Sequence, residues 1–168
     1  MSFSFKCTRC TETHHGVPCF GAMAPLSYYE VPEGERESRC DLSSDACVID
    51  QEHFFVRGCL EIPVEGEAEP LSWGVWVSLN EADFKEWITT FDEAKRSDSG
   101  PYAGRLDAWL KPYPDTMGLR TMVRLRDDGM RPYIELEPTD HPLAVEQREG
   151  ISVARVADIY SIMMHPDE

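Results

Sequence analysis

Two segments of the chain alternate apolar and polar residues along their whole length. From His53 to Val64, the residues Phe54, Val56, Gly58, Leu60, Ile62 and Val64 fall on one side, and His53, Phe55, Arg57, Cys59 and Glu61 on the other. That is the period of a strand with one buried face. Leu71 to Leu79 repeats it, grouping Leu71, Trp73, Val75, Val77 and Leu79 against Ser72, Gly74, Trp76 and Ser78. The polar loop Glu65 to Pro70 between them predicts an antiparallel hairpin. With Val64 facing Leu71, Ile62 faces Trp73 and both apolar sets share a side, while Cys59 falls opposite Trp76 and Arg57 opposite Ser78. A second hairpin is predicted at Asp128-Gly129, a pair that supplies the positive φ values of a type I′ turn. Its strands are Leu119 to Arg126 and Arg131 to Glu137, pairing Val123 with Ile134 and Thr121 with Leu136 inside, and Arg124 with Tyr133 and Arg120 with Glu137 outside.

Helical spacing is rarer. Phe84, Trp87, Ile88 and Phe91 recur on one stripe after Asn80, which predicts a capped helix over 81–93. Val153, Val156, Ile159, Tyr160 and Met163 do the same after the cap Ser152. HPLAVEQREG reads as a short helix entered through Pro142, capped by Asp140 and closed by Gly150. Residues 33–39 form one acidic helical turn after Pro32. The expected class is α+β, an antiparallel sheet built from hairpins with a few packed helices and a zinc-knuckle-like loop at the amino terminus. Residues 1–25 form that loop, and 26–168 a single α+β domain.

Composition narrows the partners. The 168 residues carry 31 Asp and Glu against 16 Lys and Arg, a formal net charge of −15. Such a charge repels phosphate backbones and anionic lipid, so neither nucleic acid nor membrane is expected as the main partner. Residues 26–70 hold twelve carboxylates against Arg36, Arg39 and Arg57. This acidic half is either a solubilising surface or a face that captures a basic protein. MSFSFKCTRC lacks the form of a secretory signal, and no stretch is apolar enough to span a bilayer, which points to the cytoplasm and to cysteines held as thiols or metal ligands.

Cys7, Cys10, His14, His15 and Cys19 lie within thirteen residues. Two cysteines separated by two residues wrap one edge of a zinc tetrahedron, and a His and a further Cys complete it, so a structural zinc is expected here. The spacing is one residue short of the knuckle pattern, and Cys40, Cys47 or Cys59 is the alternative source of a fourth ligand. A redox pair would need the CxxC between a strand and a helix, a context Lys6 to Thr13 does not show.

Three weaker constellations follow. Arg57, Glu61 and Trp76, with Cys59, share the reverse face of the first hairpin, where they would orient a small ligand or peptide. The plainer reading is a covered face with an Arg57–Glu61 ion pair. Arg120, Arg124, Arg126 and Arg131 make one basic strand face, either a solvated ladder offset by Glu135 and Glu137 or an anion site built by Arg120, Arg124 and Arg126. Asp140, His141 and Glu146 place a His beside carboxylates, but without a nucleophile they read as structural. No GxSxG, Walker loop, dinucleotide fingerprint or HExxH occurs, and no catalytic residue is assigned.

CTRC followed by His14, then YYEVPEGERESR, SSDACVIDQEHFFVRGCLEIPVE, WGVWVSLNEADF, PYPDT at 112–116 and RPYIELEPTDHPLAVEQREGIS together resemble a family of uncharacterised bacterial proteins, a domain of unknown function. The resemblance spans nearly the whole chain. It implies a small cytoplasmic protein with a CxxCG and His element, matched here by Cys7, Cys10 and His14, with Thr11 standing in place of the Gly. Residues and resemblance together lead to a non-catalytic acidic binding domain stabilised by zinc. The competing expectation is a metal-assisted hydrolase with an open zinc position and Glu12 or Glu61 as base.

Overall fold

The two alternating segments become the two longest strands of the computed structural model, which describes residues 3–165. In chain order the elements are β1 (Ser4–Lys6), β2 (Thr13–His15), β3 (Cys19–Gly21), α1 (Leu26–Glu30), a 3-10 turn (Glu33–Glu35) running into α2 (Arg36–Arg39), β4 (Cys40–Leu42), β5 (Ala46–Ile49), β6 (His53–Ile62) and β7 (Leu71–Leu79). Then come α3 (Glu81–Thr89), β8 (Tyr102–Leu106), β9 (Arg120–Arg124), β10 (Tyr133–Leu136), α4 (Pro142–Glu149) and α5 (Val153–Met164).

β6 and β7 pair as the alternation predicts, but Ile62 faces Leu71 and Leu60 faces Trp73, a slip of two residues from the expected register. An even slip keeps every side chain on its face. Val64 has left the hairpin and makes a parallel bridge with Ile151 before α5. The Asp128-Gly129 hairpin keeps the predicted register, Val123 to Ile134 and Thr121 to Leu136, with φ of +59° and +74° at the turn.

The sheet is not an antiparallel stack of hairpins. β7, β8, β9, β10 and β6 pair in sequence, and β6 returns to β7, closing a five-stranded barrel. Strand directions cannot alternate around a ring of odd number, so one neighbouring pair must run parallel, and it is β10 with β6, Tyr133 beside Cys59. A second parallel pair, β3 with β7, lies outside the ring. β6 and β7 each divide an outer edge between two partners. β5 takes the His53–Val56 half of β6, and β3 takes the Ser72–Gly74 part of β7.

Val56, Leu60, Ile62, Leu71, Val75, Val77, Val123 and Ile134 fill the barrel, sealed by Leu143 of α4 and Val156 and Ile159 of α5. Full burial of each such side chain contributes about 1.5–3 kcal/mol. Two glycines set its bore. A Cβ on Gly58 would stand 2.5 Å from Ile134 Cδ1, and one on Gly104 2.4 Å from Val77 Cγ1 and 2.5 Å from Ser78 O. The reverse face of β6–β7 is covered as well, by a second cluster of Val31, Cys47, Ile49, Phe55 and Trp76.

The helices differ from expectation in detail. α3 ends at Thr89 rather than at residue 93, where the Thr89 and Thr90 hydroxyls donate to Lys85 O and Glu86 O and satisfy the last carbonyls. Ile88, expected on the buried stripe, is 51% exposed. The cap of α4 is His141 rather than Asp140. Among the described residues no helix is long and apolar enough to cross a membrane.

Candidate metal centre

β1 and β2 form a small antiparallel sheet with Phe5 opposite His14. Cys7 N donates to Glu12 O at 3.0 Å, closing the loop that carries Cys7 and Cys10. Thr11 takes φ +62° there, the left-handed conformation that glycine adopts freely, at a cost of roughly 1–2 kcal/mol for a residue with a Cβ. Thr11 thus takes the backbone conformation that a glycine at this position would adopt without strain.

This hairpin lies on α5. The Phe5 ring meets Tyr160 edge-on at 5.2 Å, His14 lies 4.4 Å from the same Tyr160 ring, and the Thr8 and Ser161 hydroxyls are 2.5 Å apart. Arg9 donates to the carbonyl of His165, the residue that ends α5. The residue capping the C-terminus of α5 is thus held against the first cysteine loop.

Two overlapping groups of donor atoms result. Cys7, Cys10 and His165 place their ligand atoms within 4.8 Å of one another, and so do Cys10, Glu12 and His14. Cys10 Sγ is 3.3 Å from His14 Nε2. Ligands at the edge of a zinc tetrahedron, with bonds of about 2.3 Å to sulfur and 2.0–2.1 Å to nitrogen, sit about 3.5 Å apart, so this pair already has the required separation. Cys7 is 2% exposed. Burial pushes its thiol up, but the Cys10 and Arg9 amides, the Cys10 thiol and the Arg9 guanidinium outweigh it and leave Cys7 below the ordinary thiol range. Cys10 moves the other way: the Glu12 amide lowers it, while desolvation and the Cys7 thiolate prevail and raise it. One thiolate is favoured and the second resisted, because a charge on one sulfur opposes a charge on the other.

The remaining expected ligands lie apart. His15, exposed on β2, and Cys19, exposed on β3 opposite Ser72, belong to neither group. Cys47 is buried in the second cluster with Cys40 packed on it, and burial raises its thiol to about 12. His165 lies far from the other ligands in sequence, and only the packing of α5 on β1 reveals it.

The hairpin-face constellation is brought together in part, with Arg57 directly opposite Trp76 and Glu61 farther along, opposite Ser72. Trp76 is wholly buried and donates from Nε1 to Ala22 O at 3.0 Å. Arg57 reaches Ser44 O and lies over Gly21 and Gly74. Glu61 pairs not with Arg57 but with Arg126, at 3.1 Å, and with Cys59 it lines a cleft of about 810 Å³ that Asp128, Gly129 and Arg131 of the β9–β10 turn also border. Arg131 closes that cleft through Asp45 at 2.9 Å. The basic strand face is largely neutralised, since Arg124 also pairs, with Glu135 at 2.8 Å. His141 is occupied by structure: Nδ1 accepts from Leu143 N at 3.1 Å and Nε2 donates to Asp115 O at 2.9 Å.

No curated protein and no solved structure matches this chain. One family model does, over residues 6–151, a span that holds Cys7, Cys10 and His14 and ends before His165. The chain belongs to that family, DUF2199, described as uncharacterized protein conserved in bacteria.

Proposed function

We propose that this protein is a non-catalytic binding domain whose amino-terminal hairpin and last helix are locked together by one zinc ion held by Cys7, Cys10, His14 and His165. The observation that carries the reading is the convergence of Cys7 and Cys10 with His165 from the opposite end of the chain. Two thiolates and two imidazoles are a borderline-soft set that suits zinc, and four protein ligands close the tetrahedron. A closed site serves folding rather than catalysis, because no position is left for water. The binding surface is the acidic segment, where Glu30, Glu33, Glu37 and Asp41 stand exposed on and around α1, α2 and β4. Its partner is a basic protein, drawn by long-range attraction that salt weakens.

Metal analysis of untagged protein purified without chelator tests the zinc. About one zinc per chain is expected, lost on Cys7→Ser and on His165→Ala. Zinc-free protein with freely reactive Cys7 and Cys10 overturns the reading. Reversing the charge of Glu30, Glu33 and Glu37 together abolishes retention of basic proteins at low salt, and unchanged retention removes the acidic face from consideration.

The second reading, a metal-assisted hydrolase, has one observation in its favour: the exposed Glu12 carboxylate lies within 4.8 Å of Cys10 and His14. It requires one coordination position to be water. His165→Ala that keeps its zinc supports it.

A further inference from the structure

The outer face of β7, β8, β9 and β10 carries one row of side chains running across all four strands. Ser78 pairs with Arg105, Arg105 with Arg120, and Glu137 N donates to Arg120 O at 2.9 Å just past the end of β10. Arg105 and Arg120 are therefore direct cross-strand neighbours of like charge, an arrangement that costs stability. Both are exposed.

Among the described residues, neither guanidinium forms an ion pair. Arg105 donates only to Gly118 O, at 3.3 Å. This sets them apart from Arg124, Arg126 and Arg131 of the β9–β10 hairpin, which are paired with Glu135, Glu61 and Asp45. In a chain of net charge −15, carboxylates are plentiful, yet among the described residues none forms an ion pair with either arginine.

The two arginines border a groove of about 710 Å³ and a smaller adjoining one of about 220 Å³. The larger is within the size range of small-molecule sites. Ala103, Met122 and Pro138 supply apolar lining beside the charged row, and Glu137 borders both hollows. Glu135 also lines the larger groove but is paired with Arg124, so Arg105 and Arg120 against Glu137 leave one net positive charge, which matches a monoanion better than a phosphate dianion. The planar fork of arginine fits a carboxylate in two parallel hydrogen bonds.

We infer that this groove binds a small organic carboxylate, its head group bridging Arg105 and Arg120 and its apolar body lying along Ala103, Met122 and Pro138. The bridging anion removes the like-charge repulsion between Arg105 and Arg120.

The test is amide NMR of the full-length protein titrated with hexanoate. Resonances of residues 103–105 and 120–122 should move and saturate at millimolar hexanoate. Arg105→Ala and Arg120→Ala should each weaken binding at least about ten-fold, the loss of a charge-assisted hydrogen bond. Arg131→Ala should leave it unchanged, because Arg131 pairs with Asp45 in the other cleft and does not border this groove. Hexylammonium should move nothing, and inorganic phosphate should bind more weakly than hexanoate. Hexanoate that leaves these amides still, or binds both alanine variants as tightly as wild type, overturns the site. Phosphate binding more tightly overturns the carboxylate assignment. As a ligand-free readout, Arg120→Thr should raise Tm by relieving the repulsion. A lower Tm would show that the fold itself uses the pair, and would overturn the inference.

Discussion

The Tyr113 hydroxyl donates to Glu146 Oε2 at 2.5 Å, tying the loop after β8 to α4. The other carboxylate oxygen accepts from Arg155 Nε of α5 at 2.7 Å, and the Arg155 guanidinium lies 5.3 Å from the Tyr113 ring. Three segments distant in sequence are thereby fastened where they seal the barrel. Burial, then the Glu146 carboxylate, raises the Tyr113 hydroxyl far above its ordinary value. A raised folded-state pKa stabilises fully below the unfolded value, about pH 10 for tyrosine, and the contribution is lost as pH climbs beyond it. Tyr113→Phe should cost about 1–3 kcal/mol near neutrality. Alkaline denaturation followed by circular dichroism should show a shallower loss of stability above pH 10 in the variant.

Asp127 sets a limit at the acid end. Its carboxylate accepts from Ser97 N, Arg96 N and the Ser97 hydroxyl, and these bonds, the Ser97 amide foremost, hold it below the usual carboxylate range. A depressed folded-state pKa stabilises above the unfolded value and is lost as pH falls through the folded one. Asp127→Ala should lower Tm at neutral pH, and the gap between the two proteins should close below about pH 4. A Tm difference constant from neutral to acid pH would contradict this.

Gly104 is required for close approach, not for an unusual dihedral. Gly104→Ala should destabilise by about 1–3 kcal/mol, the range of core overpacking. Adding Val77→Ala should restore only part, because Ser78 O remains 2.5 Å from the new methyl. Complete rescue in urea denaturation would refute the backbone clash.

The two candidate caps of α4 separate cleanly. His141→Ala removes the acceptor for Leu143 N and should cost about 1 kcal/mol, whereas Asp140→Ala should be close to neutral. Thermal melts of the two variants decide it.

Metal removal should act locally. If the ion joins the first loop to α5, chelator should speed amide exchange in β1, β2 and the last turn of α5 well before it affects β6 and β7, whose side chains fill the barrel. Uniform acceleration across all strands would argue against a local clamp.

Short-range chemistry made part of this structure legible before any tertiary contact. Asp128-Gly129 dictated a turn and through it the register of β9 and β10, and Asn80 and Ser152 started α3 and α5 as their side chains require. Cys7, Cys10 and His14 announced by their spacing a loop whose donor atoms could hold a metal ion. The β6–β7 connection carries no such turn pair, so alternation established its faces and left its register to packing, which chose a slip of two.

What the sequence by itself determined about this protein was therefore whatever neighbouring residues settle between themselves: strand periods, caps, the tight turn and the CxxC loop. Tertiary structure alone decided the closure of five strands with an enforced parallel pair, the burial of Trp76 under residues 22–49, the meeting of His165 with Cys7 and Cys10, and the placing of Arg105 beside Arg120. Each depends on segments far apart in the chain, and local physical chemistry does not say which distant edge a strand or helix will meet.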